Sequence, residues 1–155
     1  MGRFFTSTQI YNPKLLDRDG FKADFCDKMA KEGYEVCEPE CAELSYVLAF
    51  ADNCKWVTIS SEAYEQGNRT SQADTARIAK MLGTYCVNTI VIDSDCAMLD
   101  LYDDKGNKTD TLVMGRADDY LGDDIPAPAK DVWEKFVSPD STWEQFISVV
   151  QGDYV

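Results

Sequence analysis

Histidine is absent from all 155 residues. That removes Ser-His-Asp and Cys-His nucleophilic catalysis, and His-based zinc chemistry with them. Neither Gly-x-x-x-x-Gly-Lys-Ser/Thr nor Gly-x-Gly-x-x-Gly occurs, so phosphate cradling by those loops has no support. No apolar run approaches the roughly 18 residues of a membrane span. The opening Phe4-Phe5 gives way at once to Thr6, Ser7, Thr8 and Gln9, which interrupts any signal-peptide core. The chain is therefore expected to be cytoplasmic.

Cationic residues are scarce too: 15 Lys and Arg stand against 28 Asp and Glu, for a net charge of −13. Phosphate recognition needs Lys and Arg to displace counterions, so nucleic acid and anionic membrane are excluded as expected partners. Basic proteins, basic peptides and cations remain. The asymmetry is concentrated. Ten aspartates and no glutamate fall between Asp93 and Asp124, against Lys105, Lys108 and Arg116, and this stretch carries −7 of the −13. Net charge speaks to partners and encounter rates rather than to fold.

The rest of the composition is that of a folded globule. A hydrophobic fraction of 45% with 12% aromatics is too rich for an acidic disordered tail. At this length a single domain can bury a core without staples. The six cysteines do not form a disulfide framework in a chain read as cytosolic. Cys26, Cys86 and Cys96 sit where small apolar residues belong. Cys37-Glu-Pro-Glu-Cys41 lacks the Cys-x-x-Cys spacing and a second ligand pair, so neither structural zinc nor any other cofactor is expected.

The patterning alternates strands and helices. An opening strand over Arg3–Ile10 ends at Asn12-Pro13. Phe21, Phe25 and Met29 recur every four residues in a helix from Asp17 or Asp19 to Lys31, stopped at Gly33. Tyr34–Glu38 reads as a short strand, and Leu44–Phe50 with Lys55–Ile59 as a hairpin. Ser71 and Asp74 resemble a capping box opening a second helix with Ala76, Ile78, Ala79 and Leu82 inward, ended by Gly83. Three strands follow over Tyr85–Ile92, Cys96–Tyr102 and Lys108–Met114. Short helices carry Trp133 with Phe136, and Trp143 with Phe146, Ile147 and Val150.

The expected fold class is α+β. It has a mostly antiparallel sheet, two β-α-β-β halves with helices on one face, and two C-terminal helices packed on the sheet. Tyr154-Val155 resume an apolar pattern, which suggests a piece of something longer.

Val91-Ile92-Asp93-Ser94-Asp95, Leu99-Asp100-Leu101-Tyr102 and Ala117-Asp118-Asp119-Tyr120 together resemble a broad family of uncharacterised bacterial α+β proteins. Those share a strand, an Asp-x-Asp turn, a Leu-x-Leu-Tyr strand and a following Asp-Tyr. The resemblance spans about Trp56–Tyr120 and implies an α+β domain with no assigned reaction. In size and charge alone the chain is also similar to small immunity proteins that neutralise a cognate toxin.

Three functional readings compete. In the leading one, a non-catalytic interaction protein uses Asp103, Asp104, Asp118, Asp119, Asp123 and Asp124 around Tyr120 to bind a basic protein or peptide. An aromatic ringed by carboxylates suits Lys and Arg through cation–π contact and charge. In the second, a small-molecule sensor holds its ligand between the two halves, lined by Trp56 and Tyr102. In the third, a metal-assisted hydrolase uses Asp93 and Asp95, although the residues after Asp95 do not continue an EF-hand loop. The ordinary reading of each aspartate is hairpin or cap chemistry, since Asp side chains bond nearby backbone N–H groups.

Overall fold

A computed structural model describes residues 4–152 apart from Ser94 and Asp123, and within that span the side chains of all but Gln66, Asp119 and Tyr120. Strand β1 (Phe5–Tyr11) leads to helix α1 (Arg18–Lys31), whose N-cap Asp17 accepts from the Gly20 N–H. Phe21 and Phe25 are its buried face. A hairpin follows, β2 (Val47–Ala49) and β3 (Trp56–Ser60), then helix α2 (Asn68–Leu82) closed by Gly83 in the left-handed conformation. Next come β4 (Cys86–Ile92), β5 (Cys96–Tyr102) and β6 (Lys108–Gly115). The chain continues through short helices α3 (Asp118–Leu121) and α4 (Lys130–Trp133) to α5 (Trp143–Val150). In α5 the Thr142 hydroxyl and the Gln145 side chain cap each other's backbone N–H.

All six strands join one sheet in the order β2-β3-β1-β4-β5-β6, and every pairing is antiparallel. The fold is α+β, as expected. Alternation along the strands sends successive side chains to opposite faces. One face carries Ile10, Val57, Ile59, Cys86 and Tyr102 against Phe21 and Phe25 of α1 and Ile78 and Ala79 of α2. The other carries Val87, Leu101 and Leu112 against Trp133 and Val150 of the C-terminal helices.

Four expectations are corrected. Helices cover both faces, because strands with apolar residues at both odd and even positions need cover on each side. Tyr34–Glu38 forms no strand; its residues are exposed and pair with no strand of the sheet. The runs β1-α1-β2-β3 and β3-α2-β4-β5 consequently share β3 within one sheet rather than forming two separable halves. The second helix also starts earlier than its supposed capping box. Asn68 opens it, and Ser71 and Asp74 lie inside, Ser71 facing the core while Asp74 ties side chains on other segments.

Candidate functional site

The aspartate-rich stretch folds into two separated groups and three structural fixtures. Asp93 and Asp95 flank the β4–β5 turn at one end of the sheet, Asp93 at φ 51°, a conformation aspartate tolerates better than most residues. The Arg116 N–H donates to the Asp95 carbonyl at 3.0 Å. The buried Ala117 packs with Cys96 and Val113, so Asp118 at the start of α3 sits at this same end. Asp103 and Asp104 belong to the β5–β6 loop at the opposite end. The length of β5 separates the groups, on the order of 25 Å at ~3.3 Å per residue. The stretch is therefore not one surface.

Three of its aspartates serve the fold. Asp100 is buried in β5, accepting from Gln72 Nε2 at 3.0 Å and Thr111 Oγ1 at 2.6 Å and pairing with Lys108 Nζ at 3.0 Å. Asp110 accepts from Trp133 Nε1 and the Ala129 N–H. Asp103 accepts from the backbone N–H groups of Asn107 and Lys105, and these bonds hold its carboxyl below the usual carboxylate range.

Asp93, Asp95, Asp104, Asp118 and Asp124 remain as exposed carboxylates. None of them lies in an ion pair among the described residues. Leu121 and Ile125, large and apolar, are exposed in the segment that follows Asp118. Asp123 and the side chains of Asp119 and Tyr120 lie outside the described residues.

Trp56 and Tyr102 do not line a common cleft. Trp56 pairs with Tyr11, whereas Tyr102 pairs with Cys86, which pairs with Ile10. Tyr11 and Ile10 are consecutive, so the two aromatic side chains point to opposite faces. Trp56 packs tilted against Tyr11 and edge-on to Phe136, and Tyr102 is buried under the helices. Among the described residues no three His, Cys, Asp or Glu side chains converge as ligands, at Asp93 and Asp95 or elsewhere.

Two polar constellations were hidden in the sequence. Register aligns Thr8, Asn88, Asp100 and Thr111 in a row across β1, β4, β5 and β6. Helix α2 covers the row. Thr75 Oγ1 lies 2.6 Å from Thr8 Oγ1, and Gln72 reaches Asp100. A partial signal was available in β4 and β5, where Asn88 stands between Cys86 and Ile90, and Asp100 between Met98 and Tyr102, on the face that α2 covers. The second constellation gathers on Asp74, which accepts from Tyr46 at 2.7 Å and Tyr64 at 2.8 Å and pairs with Arg77. Arg77 also reaches Glu32 at the end of α1. Burial, reinforced by the Asp74 charge, pushes both tyrosine hydroxyls well above their ordinary value, so they remain donors. This cluster ties α1, α2 and β2 together.

No protein-family model, curated protein or solved structure matches the chain.

Proposed function

We propose that this chain is a non-catalytic interaction protein that binds a basic protein partner at the β4–β5 end of its sheet, in the manner of an immunity or antagonist protein. One observation carries the reading. Asp93, Asp95 and Asp118 are exposed together at that end, with no compensating ion pair among the described residues. Grouped carboxylates repel one another, and a cationic partner relieves that repulsion while the field of a −13 chain speeds encounter. Exposed Leu121 and Ile125 in the adjoining segment supply apolar area of the kind an interface buries at its centre. Asp103 and Asp104 are not part of this surface; their loop faces away at the other end.

The association rate of the partner, followed as a function of ionic strength, tests the reading. Replacing Asp93, Asp95 and Asp118 together by Asn is expected to slow association and flatten its salt dependence. An unchanged rate and slope would show that these charges only solubilise the chain.

A further inference from the structure

Strand β1 begins before its neighbour β3 reaches it. Pairing with β4 runs from Phe5 opposite Val91 to Ile10 opposite Cys86, but pairing with β3 starts only at Thr8 opposite Ile59. After Ser60 the chain leaves the sheet for a short 3-10 segment over Glu62–Gln66. This leaves a notch of about 690 Å3 beside the first residues of β1, bounded on its far side by the start of β2 and the N-terminal end of α2.

The notch has an open strand edge. The Tyr11 N–H donates to Tyr85 on the β4 side, and the Asn12 N–H donates to Lys55 on the β3 side. Backbone groups of an antiparallel strand point alternately to its two neighbours. The even residues of β1 therefore address the β3 side, and the N–H and C=O of Thr6 face the notch. Its walls are unusually apolar for solvent-facing positions: Phe4 is 76% exposed, Phe5 53% and Val47 65%. Glu62 and Glu65 line it as well, and among the described residues neither lies in an ion pair and no cationic side chain contributes to the lining.

An unpaired edge, apolar walls and unmatched carboxylates together specify an occupant. We infer that the notch takes an extended segment of the basic partner, added beside β1 as a strand. Its backbone pairs with Thr6, an apolar side chain enters between Phe4, Phe5 and Val47, and flanking Lys or Arg side chains meet Glu62 and Glu65. The inference rests on the basic-partner reading above and adjoins its surface, since Phe5 is opposite Val91, two residues before Asp93. It adds the partner's conformation and its anchor.

Two acetylated, amidated pentapeptides, Lys-Val-Lys-Val-Lys and Lys-Ser-Lys-Ser-Lys, test it by amide NMR of the whole chain. The valine peptide is expected to shift Val47 and Ser61 and to slow hydrogen exchange of the Thr6 amide. The serine peptide should shift only the neighbourhood of Asp93, Asp95 and Asp118. If both peptides act only at those aspartates, the notch inference fails while the acidic-end reading stands. If neither acts anywhere, both fail. Broadening of Phe5 and Val47 that grows with protein concentration without peptide would make the occupant a second copy of this chain, and overturn the inference.

Thr6→Pro removes the N–H that faces the notch while leaving the β4-side ladder intact, a position where proline is tolerated. It should weaken the valine peptide by about tenfold. Val47→Lys, at an exposed site, should do the same through charge and keeps the test independent of any folding defect from proline. Undiminished binding by Val47→Lys contradicts the inference.

Discussion

Asp110 on the edge strand β6 holds the indole of Trp133: its Oδ2 accepts from Trp133 Nε1 at 2.6 Å and from the Ala129 N–H at 3.0 Å. One carboxylate thus satisfies the buried indole and the start of α4, and fixes the C-terminal helices to the sheet. The most acidic part of the chain does structural work here rather than meeting a partner.

Asp110→Ala should accordingly destabilise the fold by about 2–3 kcal/mol, because the buried indole N–H loses its acceptor. Asp110→Asn keeps a carbonyl oxygen in place and should lose only about 1 kcal/mol. Urea unfolding of both variants measures the difference, and equal stability of Asp110→Ala and the parent would refute the assigned role.

The buried row offers a contrast between two neighbours. Asp100, directly opposite Asn88, is fully engaged by Gln72, Thr111 and Lys108. Among the described residues, the buried Asn88 Nδ2 has no partner, and its Oδ1 receives only a 3.4 Å contact from Thr75. Asp100→Ala orphans three donors and should cost about 3 kcal/mol. Asn88→Leu removes an unsatisfied group at similar volume and should leave stability unchanged or raise it by about 1 kcal/mol. Thermal unfolding orders the two variants; the reverse order would contradict the hydrogen-bond assignment.

The β5–β6 loop should depend on pH with a defined sign. The folded Asp103 carboxyl lies below its ordinary value because the N–H groups of Asn107 and Lys105 donate to the ionised form. A depressed folded value gives stabilisation that is present above the unfolded pKa, near ~3.9, and is lost as pH falls through the folded one. Chemical shifts of the Asn107 and Lys105 amides should titrate together in that acid window, and Asp103→Asn should abolish the transition. Titration centred above the unfolded value would contradict the sign.

Local pattern in the sequence carried the elements whose stability is local. The Phe21–Phe25 spacing marked α1, short apolar runs set off by Asp- and Gly-bearing turns marked β4 to β6, and Gly83 marked the end of α2. What escaped depended on long-range geometry. Tyr34–Glu38 has a strand-like composition, yet it stays exposed and unpaired with the sheet. Ser71 and Asp74 look like a cap, yet Asp74 is drawn to Tyr46 and Tyr64 on other segments, a preference no local pattern encodes. The acidic stretch looked like one surface because sequence proximity hides the reversal of direction at each hairpin. Register, not composition, divides Asp93 and Asp95 from Asp103 and Asp104. Trp56 and Tyr102 are separated in the same way: strand parity, which composition does not display, sends them to opposite faces.

The most direct test of the account is a pull-down from source-cell lysate with three tagged proteins of matched quality, washed at low and then near-molar salt. One is the parent, one carries Asp93→Asn, Asp95→Asn and Asp118→Asn, and one carries the equal charge change at exposed sites elsewhere, Asp52→Asn, Asp104→Asn and Asp140→Asn. The account predicts that the parent and the second triple variant retain the same basic protein through the low-salt wash and release it at high salt, while the first triple variant fails to retain it. Equal retention by both triple variants would contradict a binding surface at the β4–β5 end.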